Sequence, residues 1–199
     1  MEFTIPQIHI PAFPEHTLDI RDFGAVGDGV TMNTKAINDA IEACSKAGGG
    51  TVVIPAGFWK TAAIQLKDGV RLHTENGTFV KFSDDYHDYP LIMTHYEGLP
   101  TIRCMSPIYA DGAKNIAITG EGIFDGSGDA WRVCKKWKFT ERQWNALLAK
   151  EGAYLVEKGA ESLIWPSEAA FLGNQYNNRC GGMVTDFEEA EKYQQFFRR

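Results

Sequence analysis

The feature that most constrains the fold is a near-repeat of short strands. VRLHTENGTFV begins at Val70 and IAITGEGIF begins at Ile116, 46 residues later. Each carries two apolar residues two apart, a polar turn, a glycine and a further apolar strand. Alternation with a period of two marks strands with one buried face. Repeats of roughly 20–50 residues point to stacked units that bury their apolar faces against one another. AAIQL, TFVKF and GIFDG continue the same texture of short strands separated by Gly, Asn and Asp. The pattern fits a parallel β-helix, in which each coil lays its strands on those of the coil before. A Greek-key sandwich shares that texture and stays open on this evidence.

Upstream, Pro6, Pro11 and Pro14 keep residues 1–19 extended, as an arm. In DFGAVGDGVTMNTKAINDAIEACSKAGGGTVVIPAG, Asp22 to Gly57, Asn33 is placed as a helix N-cap. Ala36, Ile37, Ala40, Ile41 and Cys44 form one helical face, Gly48 ends the helix, and Thr51–Ile54 is a β-branched strand stopped by Pro55. A phosphate-binding loop needs a strand, then the glycines, then a helix N-terminus. Here GxxGxG follows no strong strand and Gly48–Gly50 precede one, so the glycines are read as turn residues.

Downstream of Trp131 the texture changes. Thr140 and Gln143 have capping-box spacing, with Trp144, Leu147 and Leu148 on the helix that follows, ending near Gly152. Residues 153–184 read mostly as loop. Thr185 and Glu188 suggest a second capping box, Phe187, Ala190, Tyr193 and Phe197 an apolar face, and Arg198 and Arg199 a helix C-terminus.

The net charge of −6, with no clustered Lys or Arg, argues against nucleic acid as a partner. No apolar run approaches the roughly 20 residues of a membrane-spanning helix, and MEFTIPQIHIPAFP has no signal-peptide pattern. SDDYHD (Ser83–Asp88) and Asp125 with Asp129 are read as turn residues, since neighbouring carboxylates on extended chain point opposite ways. His73, His87 and His95 lack metal-ligand spacing, so neither a metal nor a cofactor is expected. Cys44 falls on the apolar helix face. Cys134 and Cys180 could staple the neck of an insertion in an oxidising compartment. Trp131 and Arg132 are the candidate substrate-binding pair, because sugar clefts use aromatic faces and arginine forks that grip carboxylates. Packing is the competing role for both.

The Asp22–Gly57 stretch resembles the opening signature of pectin-degrading right-handed parallel β-helix proteins. SPIYADGAKNIAITG and NIAITGEGIFDGSGDAW resemble the segment that follows it in the polygalacturonases of glycoside hydrolase family 28. The resemblance covers about Ile20 to Trp131 and continues more loosely beyond, where Arg132 to about Gly182 looks like an insertion of bacterial members. It implies a mainly β solenoid, with coils over residues 20–131, a capping helix over 33–46, and a partly helical insertion and continuation over 132–199. It implies inverting hydrolysis of α-1,4-galacturonan by three aspartates, in Asn-Thr-Asp and Asp-Asp motifs followed by Gly-His and Arg-x-Lys. Asn33-Thr34 is followed by Lys35, Asp84-Asp85 comes too early, and the other two motifs are missing. No catalytic residue is therefore assigned. The chain is expected to be the N-terminal part of such an enzyme, inactive alone, with the catalytic aspartates beyond residue 199. The resemblance also implies a periplasmic or secreted location and a pectin-type polysaccharide or oligogalacturonide as partner. A non-catalytic carbohydrate-binding or structural β-helix module, or a rhamnogalacturonan hydrolase, are the alternatives. An exposed β-helix end would favour self-association.

Overall fold

The computed structural model describes residue 7 and residues 9–198. Pro6 of the expected arm and Arg199 lie outside the described residues. The chain divides into two compact units, Met1–Lys81 with Ile108–Phe124, and Phe82–Pro107 with Asp125–Arg199.

The first unit opens with β1 (Thr17–Asp19), β2 (Asp28–Met32) and α1 (Thr34–Lys46). It continues through β3 (Gly50–Ile54), β4 (Gly57–Thr61), β5 (Ile64–Gln65), β6 (Val70–Thr74) and β7 (Thr78–Phe82). The chain then leaves for β8 (Leu91–Tyr96) and β9 (Leu99–Cys104) of the second unit. It returns with β10 (Ile108–Tyr109), β11 (Ala117–Gly120) and β12 (Ile123–Asp125). The strands form three sheets, β1-β3-β6-β11, β12-β7-β4-β2 and β10-β5. The printed pairings β1–β3, β3–β6, β6–β11, β2–β4 and β5–β10 are all parallel. Parallel neighbours joined by short turns round three sheets make a β-helix and exclude the antiparallel Greek key.

The near-repeat seen in the sequence is a true stack. Leu72 pairs with Ile118 and His73 with Thr119, an offset of 46. One coil earlier, Val52 pairs with Leu72, an offset of 20. The excursion 82–107 is 26 residues long, and 46 less 26 is 20, so the underlying coil is 20 residues. Burial alternates as the register demands: Val52, Ile54, Val70, Leu72 and Val80 point inward and are fully buried. Stacking brings backbones close enough to exclude side chains. A Cβ on Gly120, whose φ is +102°, would sit 1.9 Å from the Thr74 carbonyl oxygen.

α1 covers the core with Ala36, Ile37, Ala40, Ile41 and Cys44, the face read from the sequence. Burying each isoleucine contributes about 1.5–3 kcal/mol relative to exposure. The helix is anchored by Asn38, whose amide donates to the Ala63 carbonyl (2.9 Å) and accepts from the Gln65 N–H (2.8 Å). Asn33 precedes α1 but makes no capping bond to it. Its buried side chain accepts from the Val26 N–H (2.7 Å) and donates towards the carbonyls of Val26, Thr31 and Lys60. It ties the loop before the helix to β4, a tertiary role that outweighs capping. The coils also begin earlier than the Ile20 boundary, since Thr17–Asp19 pair with Thr51–Val53.

In the second unit, β8 and β9 form an antiparallel hairpin, turned at Glu97 and Gly98, both with positive φ. The chain continues through β13 (Cys134–Lys135), α2 (Glu141–Leu148), β14 (Tyr154–Val156), β15 (Leu163–Trp165), α3 (Glu168–Arg179), α4 (Phe187–Lys192) and α5 (Gln194–Phe197). β15 is the antiparallel centre of a β13-β15-β14 sheet. Ile102, Trp165, Ala170, Val184, Ala190, Phe196 and Phe197 make the core. The Thr140–Gln143 capping box is present at α2. The stretch 153–184, read as loop, contains β14, β15 and α3. The cap of α4 is Asp186, which accepts from the Glu189 N–H, one residue later than the expected Thr185.

Candidate functional site

The site is built where Asp125–Arg132 leaves the last coil. Ser127 is in the left-handed region, φ 50°, and begins a short 3-10 turn over Gly128–Ala130. That strained start is held at both ends: its N–H donates to Asp125 Oδ1 (2.9 Å) and its Oγ to the Phe82 carbonyl (2.6 Å). The turn presents Asp129 and Arg132 to an open cleft of about 230 Å³, lined also by Asp84, Lys150, Glu151 and Gln195. Leu147, Ile164 and Trp165 supply its apolar wall. Gly128 lies beside the Arg132 guanidinium, where a Cβ would be 3.5 Å from Nε.

The two sequence-derived candidates separate. Arg132 is exposed and lines the cleft. Trp131 is only 5% exposed, and Arg198 lies over its ring, 4.7 Å from the centroid. Tyr89 meets that ring edge-on, with centroids 6.4 Å apart. The Arg198 guanidinium also covers Tyr89, at 3.8 Å, and Tyr89 donates its hydroxyl to the Ser83 carbonyl. Burial pushes the Tyr89 phenol up, against the lowering effect of Arg198. Trp131 is therefore a packing residue, beneath a buried cation, and offers no ring face for a sugar. Arg198, expected at an exposed helix end, is 7% exposed.

Asp84 and Asp129, both read as turn residues, reach the same cleft. A usable signal lay in the repeat: 129 less 84 is 45, close to the 46-residue offset of the stacked strands. Corresponding positions just past β7 and β12 thus each carry an aspartate. Lys150 and Glu151 had no sequence signal, because their place depends on how α2 and β14 fold. Arginine and lysine beside carboxylates and an apolar wall can hold a polar ring that bears a carboxylate. Asp85, by contrast, caps the turn Tyr86–Asp88 and pairs with His87.

All four cysteines are free, so the Cys134–Cys180 staple is not formed. Cys134 stands in the cleft wall, where burial raises its thiol. Among the described residues, no group of three or more His, Cys, Asp or Glu converges as a metal site. No described helix is long and apolar enough to cross a membrane.

A family model for rhamnogalacturonase A/epimerase, pectate lyase-like proteins matches residues 17–182. The chain belongs to this family. It is 38% identical over 119 residues to an exo-poly-alpha-D-galacturonosidase of Dickeya chrysanthemi, covering 56% of the chain and 19% of that protein. It is 33% identical over 129 residues to a probable polygalacturonase of Vitis vinifera, covering 58% of the chain and 26% of that protein. Among solved structures, the exopolygalacturonase of Thermotoga maritima superposes with a TM-score of 0.63 at 30% identity, over 89% of the chain and 36% of the enzyme. The chain thus spans about a fifth to a quarter of the curated relatives' length. It is a pectinase-type β-helix, as the resemblance implied.

Proposed function

We propose that these 199 residues are the N-terminal coils of a polygalacturonase-like glycosidase that hydrolyses α-1,4-galacturonan with inversion. The observation that carries this reading is the family match over the register-matched stack of coils. Inversion needs an acid and a base about 6.5–9.5 Å apart with water between them, and the family's motifs for that pair are missing from this chain. The reading places the cleaving carboxylates on coils outside it, so this chain binds substrate without turning it over. Arg132, with Lys150, grips a uronate carboxylate in the cleft, and the segment from Arg132 onward walls one end of the substrate path, favouring exo action. The same reading places the protein in the periplasm or outside the cell, acting on pectin-type polymer, with self-association through an uncapped β-helix end.

The test combines a reducing-end assay and calorimetry on this chain with oligogalacturonate. The expected result is binding, weakened in R132Q, without release of reducing ends. Steady turnover by this chain would overturn the placement of the catalytic groups, and loss of all binding would overturn the substrate. Rhamnogalacturonan stands second because the family description names a rhamnogalacturonase. Preference for that polymer in the same titration would select it.

A further inference from the structure

The outer face of the β12-β7-β4-β2 sheet is unusually apolar for a surface open to water. Inward positions on β4 and β7 are filled by Trp59, Thr61, Val80 and Phe82, all nearly fully buried. The alternate positions face out, and they carry Phe58 and Lys60 on β4 and Phe79 and Lys81 on β7. Phe58 and Phe79 form a tilted aromatic pair with centroids 5.3 Å apart. The neighbouring rungs extend the stripe: Val30 on β2 is 78% exposed, Phe58 itself 60%, and Ile123 on β12 59%. Four consecutive rungs of a β-helix thus show an apolar residue to solvent, a ladder that runs across the coils. Isolated exposed apolar residues need no explanation, but a contiguous patch marks a binding surface.

The charge beside the stripe selects the occupant. Lys60 and Lys81 stand two residues along from Phe58 and Phe79, on adjacent strands about 4.8 Å apart. Neither ammonium is paired with a carboxylate among the described residues. Asp28, in register with Phe58, has its carboxylate engaged by the N–H groups of Val30 and Thr31 and by the Thr31 hydroxyl. Flat aromatic faces with regularly spaced ammonium groups suit a chain of sugar rings that carries one carboxylate per ring.

We propose that this sheet face is an accessory binding track for an acidic polysaccharide, separate from the cleft that holds Arg132. Phe58 and Phe79 stack the sugar rings, Lys60 and Lys81 meet the uronate carboxylates, and the polymer lies across the coils. The track retains the chain on its polymer and performs no chemistry. The choice of an acidic glycan rests on the pectinase reading above.

The test is amide chemical-shift mapping of this chain titrated with oligogalacturonate, followed by calorimetry on variants. The expected result is a set of shifts on β4 and β7, separate from any around Arg132. F58S/F79S should weaken that binding about tenfold, the equivalent of 1.4 kcal/mol. K60Q/K81Q should flatten its salt dependence, and fully methyl-esterified oligomer should bind no better than that variant. All four side chains lie on the outer face, so unchanged far-UV circular dichroism is expected and separates lost binding from lost fold. Shifts confined to the Arg132 cleft would overturn the track and leave the functional reading standing. No shifts anywhere would overturn both. A dimer in sedimentation that F58S/F79S converts to a monomer, with glycan binding intact, would assign the face to a second copy and overturn the proposal.

Discussion

Asn33→Ala should uncouple the capping helix from the coils. The buried amide accepts from the Val26 N–H at 2.7 Å and donates to the carbonyls of Val26, Thr31 and Lys60 at 3.0, 2.8 and 3.2 Å. The three carbonyls share one NH2 group, and that of Lys60 still receives the Asn33 N–H, so they lose little individually. The Val26 N–H loses its side-chain acceptor in a part-buried site. An unmade buried hydrogen bond costs about 1–3 kcal/mol, and the lost amide donors add about 1 more. The sum is about 2–4 kcal/mol, a large share of the 5–15 kcal/mol typical of a domain. With two compact units, one global unfolding energy is ill defined. Native-state hydrogen exchange at the α1 amides is therefore the appropriate measurement. Protection of Ile37 and Ile41 should fall by about 30- to 900-fold, at tenfold per 1.4 kcal/mol. The second unit supplies the internal control, since its amides should not change. N33D should cost more at neutral pH, because a carboxylate would face three carbonyl oxygens. It should recover part of that cost on acidification, when protonation restores a donor. A fall in α1 protection of less than threefold in N33A would refute the assignment of Asn33 as the tie between loop, helix and β4.

Gly120→Ala should displace the last coil, because the new Cβ would meet the Thr74 carbonyl at 1.9 Å and φ is already +102°. The expected readout is loss of exchange protection in β11, whereas G126A, with nothing within 4 Å, should leave it intact. Cys104 is buried, and burial pushes its thiol up to about 12 from 9.0. It should resist iodoacetamide at pH 8.5 in the folded chain and react on denaturation, as mass spectrometry will show. The sign of the linkage is fixed: above pH 9 the unfolded thiol ionises while the folded one stays protonated, so stability falls as pH rises from 9 towards 12. C104A should remove that slope, and an unchanged slope would show that another group carries it.

The fold was legible because its own physics is periodic. Strands that stack in register must repeat their buried positions, so Leu72 over Ile118 left a mark readable along the chain. The shorter true period did not show, because a 26-residue excursion to a hairpin of the second unit splits the coil between β7 and β10. Its strands, β8 and β9, carry little alternation: Pro100 and Arg103 interrupt them, and Arg103 is buried by stacking on Tyr96 and Phe197 rather than by strand position. α3 escaped for a similar reason. Asn174, Asn177, Asn178 and two glycines read as loop, yet Gly173 is required, since a Cβ there would lie 2.6 Å from that of Phe196.

The candidate site was half legible. Arg132 follows from chemistry, because a carboxylated polymer needs a guanidinium or ammonium that reaches solvent. Trp131 was assigned by the same rule and lies buried, because the rule does not see Arg198, 67 residues away, covering its ring. Asp84 and Asp129 were dismissed by a local rule about adjacent carboxylates, whereas their meeting is set by the coil offset. A β-helix converts a distance of 45 or 46 residues into neighbouring positions, so its side-chain clusters must be sought at that offset and not within a short motif. Applied forward, the same rule says where the partners of Asp84 and Asp129 belong: on whichever strand stacks next upon β12, one coil length further along the chain.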